Sequence, residues 1–370
     1  MGPQLLTAFL VIYSMEPMKQ QSTLQPFRTL AAPASSRSTL PWCWRSQRVL
    51  LTGAGGFIGC HLAEHLVRAG AHVKALVHYN SRNDWGLLEC LPDDIKACLD
   101  VLSGDLTDIT FVGQAVRDCQ IVFHLGALIA IPYSYRSPRH FMDTNVMGTL
   151  NVMQACLDAQ VSKVIHTSTS ETYGSARYTP MDEAHPLHGQ SPYAASKIAA
   201  DKVAESFYCS FELPVATIRP FNVFGPRQSA RAVIPTIISQ ALAEETIRLG
   251  SLNPIRDFTF VEDTVNAFLK VAESSQSIGE VFNIGTGHGI TIGEVTEMIL
   301  DLCGRQKNIV VEEERRRPTH SEVNALLCNN VKAKAMLGWE PQYSLTQGLQ
   351  RTIDYIAQHL YRYKTGTFNI

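Results

Sequence analysis

The chain has 370 residues, of which 45% are hydrophobic and 18% charged, and its 32 basic and 34 acidic residues leave a formal net charge of −2. A length above roughly 250–300 residues predicts two lobes, and an ordinary apolar content with little net charge excludes disorder of the whole chain. The charge balance argues against a general nucleic-acid binder, and no apolar run approaches the roughly 18 residues of a membrane span. The nine cysteines include no CxxC pair, so we expect free thiols in a reducing cytosol and no metal site.

Residues 1–47 differ from the rest of the chain. They contain one acid, Glu16, and are rich in Ser, Thr and Pro. An organelle transit peptide, an upstream start codon with the true start at Met15 or Met18, and a disordered tail each fit this composition. We expect this extension to lie outside the fold and the protein to be cytoplasmic, unless the extension directs it to an organelle.

From Arg48 onward the chain alternates short apolar strands with helical segments. The strand Arg48–Thr52 is followed by a helix at His61–Gly70 and a second strand at Val73–His78. The remaining predicted elements are four strands, at Ala97–Leu102, Ile121–Leu125, Lys163–Thr167 and Pro214–Arg219, and two long helices, at Phe141–Ala159 and Tyr193–Phe211. This alternation predicts an α/β fold with a doubly wound parallel sheet.

A glycine-rich loop joins the first strand to the first helix. Its pattern G-x-x-G-x-x-G places glycines at 53, 56 and 59. Glycine lets the backbone turn tightly and approach a pyrophosphate at the positive N-terminus of a helix. In this strand–turn–helix context the loop predicts a dinucleotide site, against the alternative of a structural turn. The residues expected to contact the dinucleotide are Gly53, Gly56, Phe57, Ile58, Gly59, Ser81, Arg82, Asp105, Leu106, Leu125, Ala127, Tyr193 and Lys197.

The tip of the second strand bears on the choice between NAD and NADP. A Rossmann NAD site usually places an acid there to grip the ribose 2′-hydroxyl, but this chain has none before Asp84. Ser81 and Arg82 suit a 2′-phosphate instead, so NADP is slightly favoured and NAD stays open. Asp105, after the third strand, either meets the adenine or caps the following helix.

Tyr193 and Lys197 form a Y-x-x-x-K pattern on the second long helix. The i, i+4 spacing puts both side chains on one helical face. There the lysine cation, together with the charge of an adjacent nicotinamide, favours the phenolate and lowers the pKa of the tyrosine. A tyrosine tuned in this way removes a proton from an alcohol while hydride leaves the same carbon.

A polar segment follows the strand Lys163–Thr167, at the edge where doubly wound sheets collect ligands. It contains Thr169, Ser170 and Glu171. Thr169 can hydrogen-bond a substrate hydroxyl. Glu171 is the one carboxylate of an otherwise uncharged run, and it is either a catalytic group or a solvated loop acid.

Together with Arg219–Arg227, these motifs resemble the extended short-chain dehydrogenase/reductase family, in its nucleotide-sugar epimerase and dehydratase branch. The resemblance spans about residues 48–359. It implies a Rossmann-type lobe of residues 48–220 plus about 257–285 and a smaller, discontinuous α/β substrate lobe of about 221–256 plus 286–360. It also implies a homodimer joined by the two long helices of each subunit in a four-helix interface.

Within that branch, Thr169, Ser170 and Glu171 are similar to the corresponding segment of GDP-mannose 4,6-dehydratases and UDP-glucuronate decarboxylases, whereas glucose-type 4,6-dehydratases usually have Thr-Asp-Glu. The segment Arg317–Val323 also resembles the dehydratases. The stretches 75–85, 221–233 and 255–266 are similar to NDP-N-acetylglucosamine 4,6-dehydratases of legionaminic acid biosynthesis.

The resemblance implies 4,6-dehydration of a nucleotide-diphosphate sugar, with oxidation at C4, elimination of water across C5 and C6, and return of the hydride. The alternatives are a 4-epimerase or a UDP-glucuronate decarboxylase, and more remotely a non-catalytic NADP-binding scaffold. The expected catalytic residues are Thr169, Ser170, Glu171, Tyr193 and Lys197.

The substrate must also be held by its diphosphate, which arginine binds bidentately. The residues expected to bind substrate are Thr169, Asn222, Arg227, Val233, Arg256 and Arg317. Of these, Val233 is expected to pack against the base of the nucleotide. For Arg256 and Arg317 the alternative is an arginine paired with a nearby acid.

Overall fold

The structure, a computed structural model, describes residues 42–369. Its strands in chain order are β1 (Arg48–Thr52), β2 (His72–His78), β3 (Leu99–Gly104), β4 (Ile121–His124), β5 (Lys163–Thr167), β6 (Val215–Pro220), β7 (Asn222–Phe224), β8 (Thr246–Leu249), β9 (Ile255–Phe260), β10 (Val281–Ile284), β11 (Gly289–Thr291) and β12 (Asn308–Val311). Its α-helices are α1 (Phe57–Arg68), α2 (Asp93–Lys96), α3 (Ile109–Val116), α4 (Ile131–Arg136), α5 (Pro138–Phe141), α6 (Gly148–Asp158), α7 (Pro192–Phe211), α8 (Val233–Ala243), α9 (Val261–Glu273), α10 (Ile292–Leu302), α11 (Val331–Leu337) and α12 (Leu345–Gln358). Within residues 42–369 no helix is both long and apolar enough to cross a lipid bilayer.

A seven-stranded parallel sheet organises the fold, in the order β10-β6-β5-β4-β1-β2-β3. The chain moves outward from β1 to β3, returns to β4 on the other side of β1, and then moves outward again. Val49 pairs with Val73 on one side and with Ile121 on the other, both in parallel register. The predicted Rossmann-type doubly wound sheet is therefore confirmed. Its reversal of direction between β1 and β4 opens a crevice at the carboxyl ends of the strands, where such sheets bind ligands.

Side chains of the central strands alternate between two cores on opposite faces of the sheet. Leu50 and Val122 pack with side chains of α3, α6 and α7, whereas Val49, Leu51 and Phe123 pack with side chains of α1 and α9. Successive strand residues point to opposite faces, so a strand covered on both faces is apolar at every position. This is why these strands appear in the sequence as continuous apolar runs.

The core beneath α1 and α9 continues into the C-terminal part of the chain. Ile234, Val295 and Trp339 are buried in the same cluster as the strand residues of β1. Above it, β7, β9 and β11 form a three-stranded sheet, and β8 and β12 form a two-stranded one. The C-terminal helices and small sheets thus share an apolar core with the large sheet, and the division into two lobes at the expected boundaries remains a prediction.

The predicted helix Phe141–Ala159 is interrupted in the structure. A π-helix spans Met142–Met147 between α5 and α6. It carries Asn145, whose side chain is buried, accepts from the backbone N–H of Leu128 at 2.8 Å and donates to Ser196 Oγ at 2.9 Å. The segment is therefore helical as predicted, and its wider turn coincides with a buried polar contact between neighbouring elements.

The fold also includes residues that sequence analysis assigned to the N-terminal extension. Trp44 is 8% exposed, its ring lies 6.3 Å from that of Phe123, and its indole N–H donates to Glu273 at 2.7 Å. The extension boundary at residue 47 was wrong, because burial of this aromatic side chain attaches residues 44–46 to the core. Residues 1–41 lie outside the described residues.

Candidate active site

The glycine loop between β1 and α1 is closely packed against the backbone around it. A β-carbon at Gly59 would lie 2.2 Å from the carbonyl oxygen of Gly53, and one at Gly53, where φ is +70°, would lie 2.8 Å from the N atom of Gly126. Gly56 is the N-cap of α1 and supplies no side-chain hydrogen bond, so the first N–H groups of this helix can bind an anion. The loop therefore fits the pyrophosphate of a dinucleotide.

Replacing Gly59 with alanine should disrupt this loop, whereas Gly113 provides a matched control. At Gly59 the backbone must move, and such overpacking typically costs about 1–3 kcal/mol, so we expect dinucleotide affinity to fall at least about tenfold. Gly113 lies inside α3 with open space at its β-carbon, so Gly113→Ala should stabilise the fold by up to about 1 kcal/mol. Dinucleotide titration and thermal unfolding measure both effects. Parent-like dinucleotide binding by Gly59→Ala would contradict the assignment of this loop.

The turn after β2 is organised by a side chain that carries no charge. Asn80 Oδ1 accepts from the N–H groups of Arg82 and Asp84, both at 3.1 Å. Asp84 in turn accepts from the N–H of Gly86 at 2.7 Å, and its other carboxylate oxygen lies 3.8 Å from Arg82. Asp84 is thus engaged within its own loop, and Ser81 and Arg82 are exposed at the strand tip.

Asp105 lies beside this tip, at the end of β3. Its carboxylate accepts from the N–H and the hydroxyl of Thr107, both at 2.8 Å, and lies 3.9 Å from His78. The N-cap of α3 is Asp108, which accepts from Thr110 N–H at 2.9 Å. The alternative of a helix cap at Asp105 was therefore wrong, and its contact with the adenine stays a prediction. Leu106, the next residue, is buried.

A buried chain of polar groups supports the loop that contains Leu125 and Ala127. Between them, Gly126 donates its N–H to Thr52 Oγ1 at 3.0 Å, and Thr52 Oγ1 lies 2.9 Å from His124 Nδ1. Burial holds the pKa of His124 well below its ordinary value, so this imidazole is neutral. The loop after β4 is thereby held against the end of β1, next to the glycine loop.

Tyr193 and Lys197 occupy successive turns of α7, which begins at the N-cap Ser191. Both are almost fully buried, at 7% and 4% exposure. The Lys197 ammonium donates to the carbonyl oxygen of Thr167 at 2.7 Å, at the end of β5. Burial lowers the pKa of Lys197 to about 8, against the opposing effect of the Asp201 carboxylate. Lysine and tyrosine thus lie at the carboxyl edge of the sheet, as the Y-x-x-x-K pattern requires.

The pKa of Tyr193 is raised in this structure, where sequence analysis predicted that Lys197 would lower it. Burial is the largest cause, the Thr169 hydroxyl partly offsets it, and the negative charge of Glu171 adds to the rise. The prediction counted the charges of Lys197 and of an adjacent nicotinamide but omitted desolvation and the carboxylate, which are set by tertiary structure. Formation of the phenolate therefore needs positive charge beyond that of Lys197.

Thr169, Ser170 and Glu171 lie at the start of a 3₁₀-helix that spans Ser170–Tyr173. The Thr169 hydroxyl caps it by accepting from the N–H of Glu171 at 3.3 Å. Ser170 and Glu171 are 2% and 8% exposed, which excludes the alternative of a solvated loop acid. Arg317 donates to both oxygens of the Glu171 carboxylate, at 3.2 Å each.

Arg256 and Asn222 lie on neighbouring strands of the three-stranded sheet, and Arg256 is close enough to Arg317 and Glu171 for both charges to act on it. Arg256 is 5% exposed, donates to the carbonyl oxygen of Ile255 at 2.9 Å and lies 3.6 Å from the Glu322 carboxylate. Burial lowers its pKa, against the opposing effect of Glu171. The Oδ1 atom of Asn222 is buried without a hydrogen-bond partner among residues 42–369. A buried cation with one long ionic contact and a buried acceptor are groups that a polar ligand would satisfy.

The structure does not bring Arg227 to the other arginines. Its guanidinium donates to Glu64 on α1 at 2.9 Å, and the neighbouring carbonyl of Pro226 lies 3.0 Å from His61 Nε2. This arginine therefore attaches its loop to the first helix, and its role at the diphosphate stays a prediction. Val233, the other substrate residue expected in this region, is the first residue of α8.

Sequence analysis missed Asp201, which lies four residues after Lys197 on α7. Its carboxylate accepts from Arg219 at 2.8 Å and from Ser168 at 2.7 Å, and lies 3.0 Å from His166 Nε2. Although burial opposes it, these contacts hold the pKa of Asp201 below its ordinary value. The cluster joins α7 to β5 and β6 beneath Lys197. The i, i+4 spacing from Lys197 was the available signal.

A doubly wound sheet with this glycine loop and a buried tyrosine–lysine pair defines an extended short-chain dehydrogenase/reductase. The family model for GDP-mannose 4,6 dehydratase matches residues 50–352. The low-salt glycan biosynthesis protein Agl12 of Haloferax volcanii is 32% identical over 317 residues, 83% of this chain and 97% of that protein. The UDP-glucose 4-epimerase of Mycolicibacterium smegmatis is also 32% identical over 317 residues, 83% of this chain and 98% of that protein.

A solved structure shows similarity to the same group of nucleotide-sugar enzymes. DesIV, a dTDP-glucose 4,6-dehydratase from Streptomyces venezuelae determined with NAD and TYD bound, has a TM-score of 0.76 at 27% identity, over 86% of this chain and 99% of that one. The chain therefore belongs to the family of nucleotide-sugar dehydratases and epimerases, and the family resemblance inferred from the motifs is confirmed. The family comprises NAD-dependent dehydratases and epimerases, and both are among these relatives.

Proposed function

We propose that the protein is a nucleotide-sugar 4,6-dehydratase that makes an NDP-4-keto-6-deoxy-hexose, with NDP-N-acetylglucosamine as the expected substrate. The observation that carries this proposal is Glu171, a buried carboxylate whose charge acts on Tyr193. Dehydration requires a base at C5 in addition to the tyrosine that serves C4. Epimerisation at C4 does not touch C5, so it has no need of a second buried acid.

In the proposed mechanism each catalytic residue transfers a different proton. A nicotinamide dinucleotide held at the glycine loop would accept the hydride from C4 and return it to C6 after elimination, and its positive charge would favour the phenolate. Tyr193 removes the proton of the 4-hydroxyl as the hydride leaves C4, and the ketone formed by these two losses makes the C5 hydrogen acidic. Glu171 removes that hydrogen, and Ser170 or Glu171 helps to protonate the departing 6-hydroxyl. Positioned proton transfers of this kind are typically worth about 10²–10⁴-fold each.

A second candidate is a UDP-glucuronate decarboxylase, which needs a cation beside the sugar C6 carboxylate. The Arg317 guanidinium beside Glu171 is such a cation. Incubating the protein with UDP-, GDP- and dTDP-sugars and measuring the product masses by mass spectrometry decides between the candidates. Loss of one water from the sugar supports dehydration, loss of carbon dioxide supports decarboxylation, and an isomer of unchanged mass supports the epimerase.

The cofactor is proposed to be NADP, although the structure of DesIV contains NAD. The support for NADP is that Ser81 and Arg82 are exposed at the tip of β2 while Asp84 is engaged with Gly86 and Arg82. Arg82→Ala should weaken NADP binding about tenfold or more by loss of a charge-assisted contact and leave NAD binding unchanged. Competition titrations measure both constants. Tighter binding of NAD than of NADP to the parent would reverse the assignment.

We also propose a homodimer whose four-helix interface uses the segments Phe141–Ala159 and Tyr193–Phe211 of each subunit. In support, both segments expose large apolar side chains, since Met142, Met147 and Phe211 are 38%, 48% and 54% exposed, and association removes such apolar surface from water. Sedimentation velocity of the full chain should give the mass of a dimer, and Met147→Glu should shift it toward the monomer. A monomeric parent would contradict the proposal.

A further inference from the structure

Arg317 is paired differently from the two arginines that precede it. Arg315 contacts Glu312 at 2.6 Å and Arg316 contacts Glu313 at 2.6 Å, so each pairs with an acid three residues away. Arg317 instead reaches Glu171, 146 residues away in the chain, and donates to both carboxylate oxygens. The arrangement joins the expected diphosphate clamp directly to the proposed base.

Binding of a diphosphate by Arg317 and removal of a proton by Glu171 compete while the two side chains are paired. A base at C5 must direct a carboxylate oxygen at the substrate, and both oxygens of Glu171 accept from Arg317. A diphosphate clamp must direct its N–H groups at phosphate oxygens, and those of Arg317 are directed at Glu171. Arg317 can serve the substrate and Glu171 can serve as the base only if the pair separates.

Two arginines and two carboxylates lie together around this pair. Arg256 is 5% exposed, and its one ionic contact, with Glu322, is 3.6 Å long. The described part of the site therefore balances two guanidinium groups against two carboxylates. A diphosphate adds two negative charges and accepts bidentate hydrogen bonds from arginine, which makes it a stronger partner than a single carboxylate.

We propose that the diphosphate of the incoming nucleotide sugar takes Arg317 from Glu171, and that this exchange releases the carboxylate to act at C5. The catalytic consequence rests on the proposed function, whereas the exchange itself depends only on binding. Arg317 thereby couples the arrival of a diphosphate-linked sugar to the freeing of the base, and a sugar without a diphosphate leaves Glu171 engaged.

A double-mutant cycle of binding constants tests the exchange without any chemistry. The probes are inorganic pyrophosphate, UDP, GDP and dTDP, titrated calorimetrically into the full chain loaded with its nicotinamide cofactor. In the parent background Glu171→Gln removes the competing carboxylate charge, so we expect these anions to bind about tenfold more tightly, equivalent to about 1.4 kcal/mol. In the Arg317→Gln background the same change should have no effect. Arg316→Gln, which removes a neighbour paired with Glu313, should leave the gain intact.

Three results would overturn the proposal. Unchanged or weaker binding by Glu171→Gln would show that Arg317 need not leave Glu171. An equal gain in anion affinity in the parent and Arg317→Gln backgrounds would show that Glu171 only repels the anion. A parent that binds none of the probes would show that Arg317 does not bind a diphosphate. Cofactor binding and thermal unfolding verify folding, and Arg317→Met, which also removes the charge, replaces Arg317→Gln where the latter does not fold. The two proposals can fail separately. If the cycle shows the expected coupling but incubation with nucleotide sugars gives a product of unchanged mass, the exchange is retained and the dehydratase function is rejected.

Discussion

Replacing Tyr193 with phenylalanine should lower turnover by at least about 10²-fold while the dinucleotide still binds. The substitution removes the oxygen that accepts the proton of the 4-hydroxyl but keeps the ring that lies 6.2 Å from that of Phe141. Stopped-flow and steady-state rates with the nucleotide sugar identified by product mass measure the loss, and fluorescence titration measures cofactor binding.

Tyr208→Phe is the matched control for this prediction. Tyr208 lies on the same helix, α7, and is 38% exposed. It should keep the parent rate, because its hydroxyl is remote from the sheet edge that carries Lys197. If Tyr193→Phe also turned over at nearly the parent rate, the assignment of the catalytic acid–base residue would be lost.

Glu171→Gln should separate the oxidation step from the elimination step. The amide keeps the shape of the side chain but cannot remove the C5 proton, whereas Tyr193 and Lys197 remain in place for oxidation at C4. Elimination should slow by about 10²-fold or more, so a 4-ketohexose and reduced nicotinamide should accumulate on the enzyme. Near-ultraviolet absorbance in a single-turnover mixture, and deuterium entry from solvent at C5, measure this directly.

Glu183→Gln controls for loss of a half-buried carboxylate elsewhere in the chain. Glu183 accepts from the backbone N–H of Asn283 at 2.8 Å and has no place in the proposed chemistry. It should exchange C5 hydrogen and form product at close to the parent rate. Product formation by Glu171→Gln at the parent rate, or a parent that never exchanges its C5 hydrogen, would move the assignment to the epimerase.

Local patterns in the sequence were enough to predict the sheet and part of the site. The strands β1 and β5 were predicted at their observed bounds, because a strand covered on both faces is apolar at each position and ends at polar or glycine residues. The glycine loop was predicted because glycine spacing between a strand and a helix is itself the requirement for close backbone approach. Tyr193 and Lys197 were predicted to share a helical face because four residues make about one turn.

The pairings that decide the chemistry depend on contacts between distant parts of the chain. Glu171 meets Arg317, Arg227 meets Glu64, and Asp201 meets Arg219, over separations of 146, 163 and 18 residues. Composition and spacing place each of these side chains near a strand end or on a helix, but they do not say which opposite charge it meets.

The fold class, the glycine loop and the tyrosine, lysine and carboxylate at the sheet edge could be predicted before any folding was known, because each depends on residues that are close together in the chain. The raised pKa of Tyr193 and the contact of Arg317 with Glu171 became visible in the folded chain alone. Burial and ion pairing depend on which segments pack together, so the free energy of a charge is set by those surroundings more than by its neighbours in the chain.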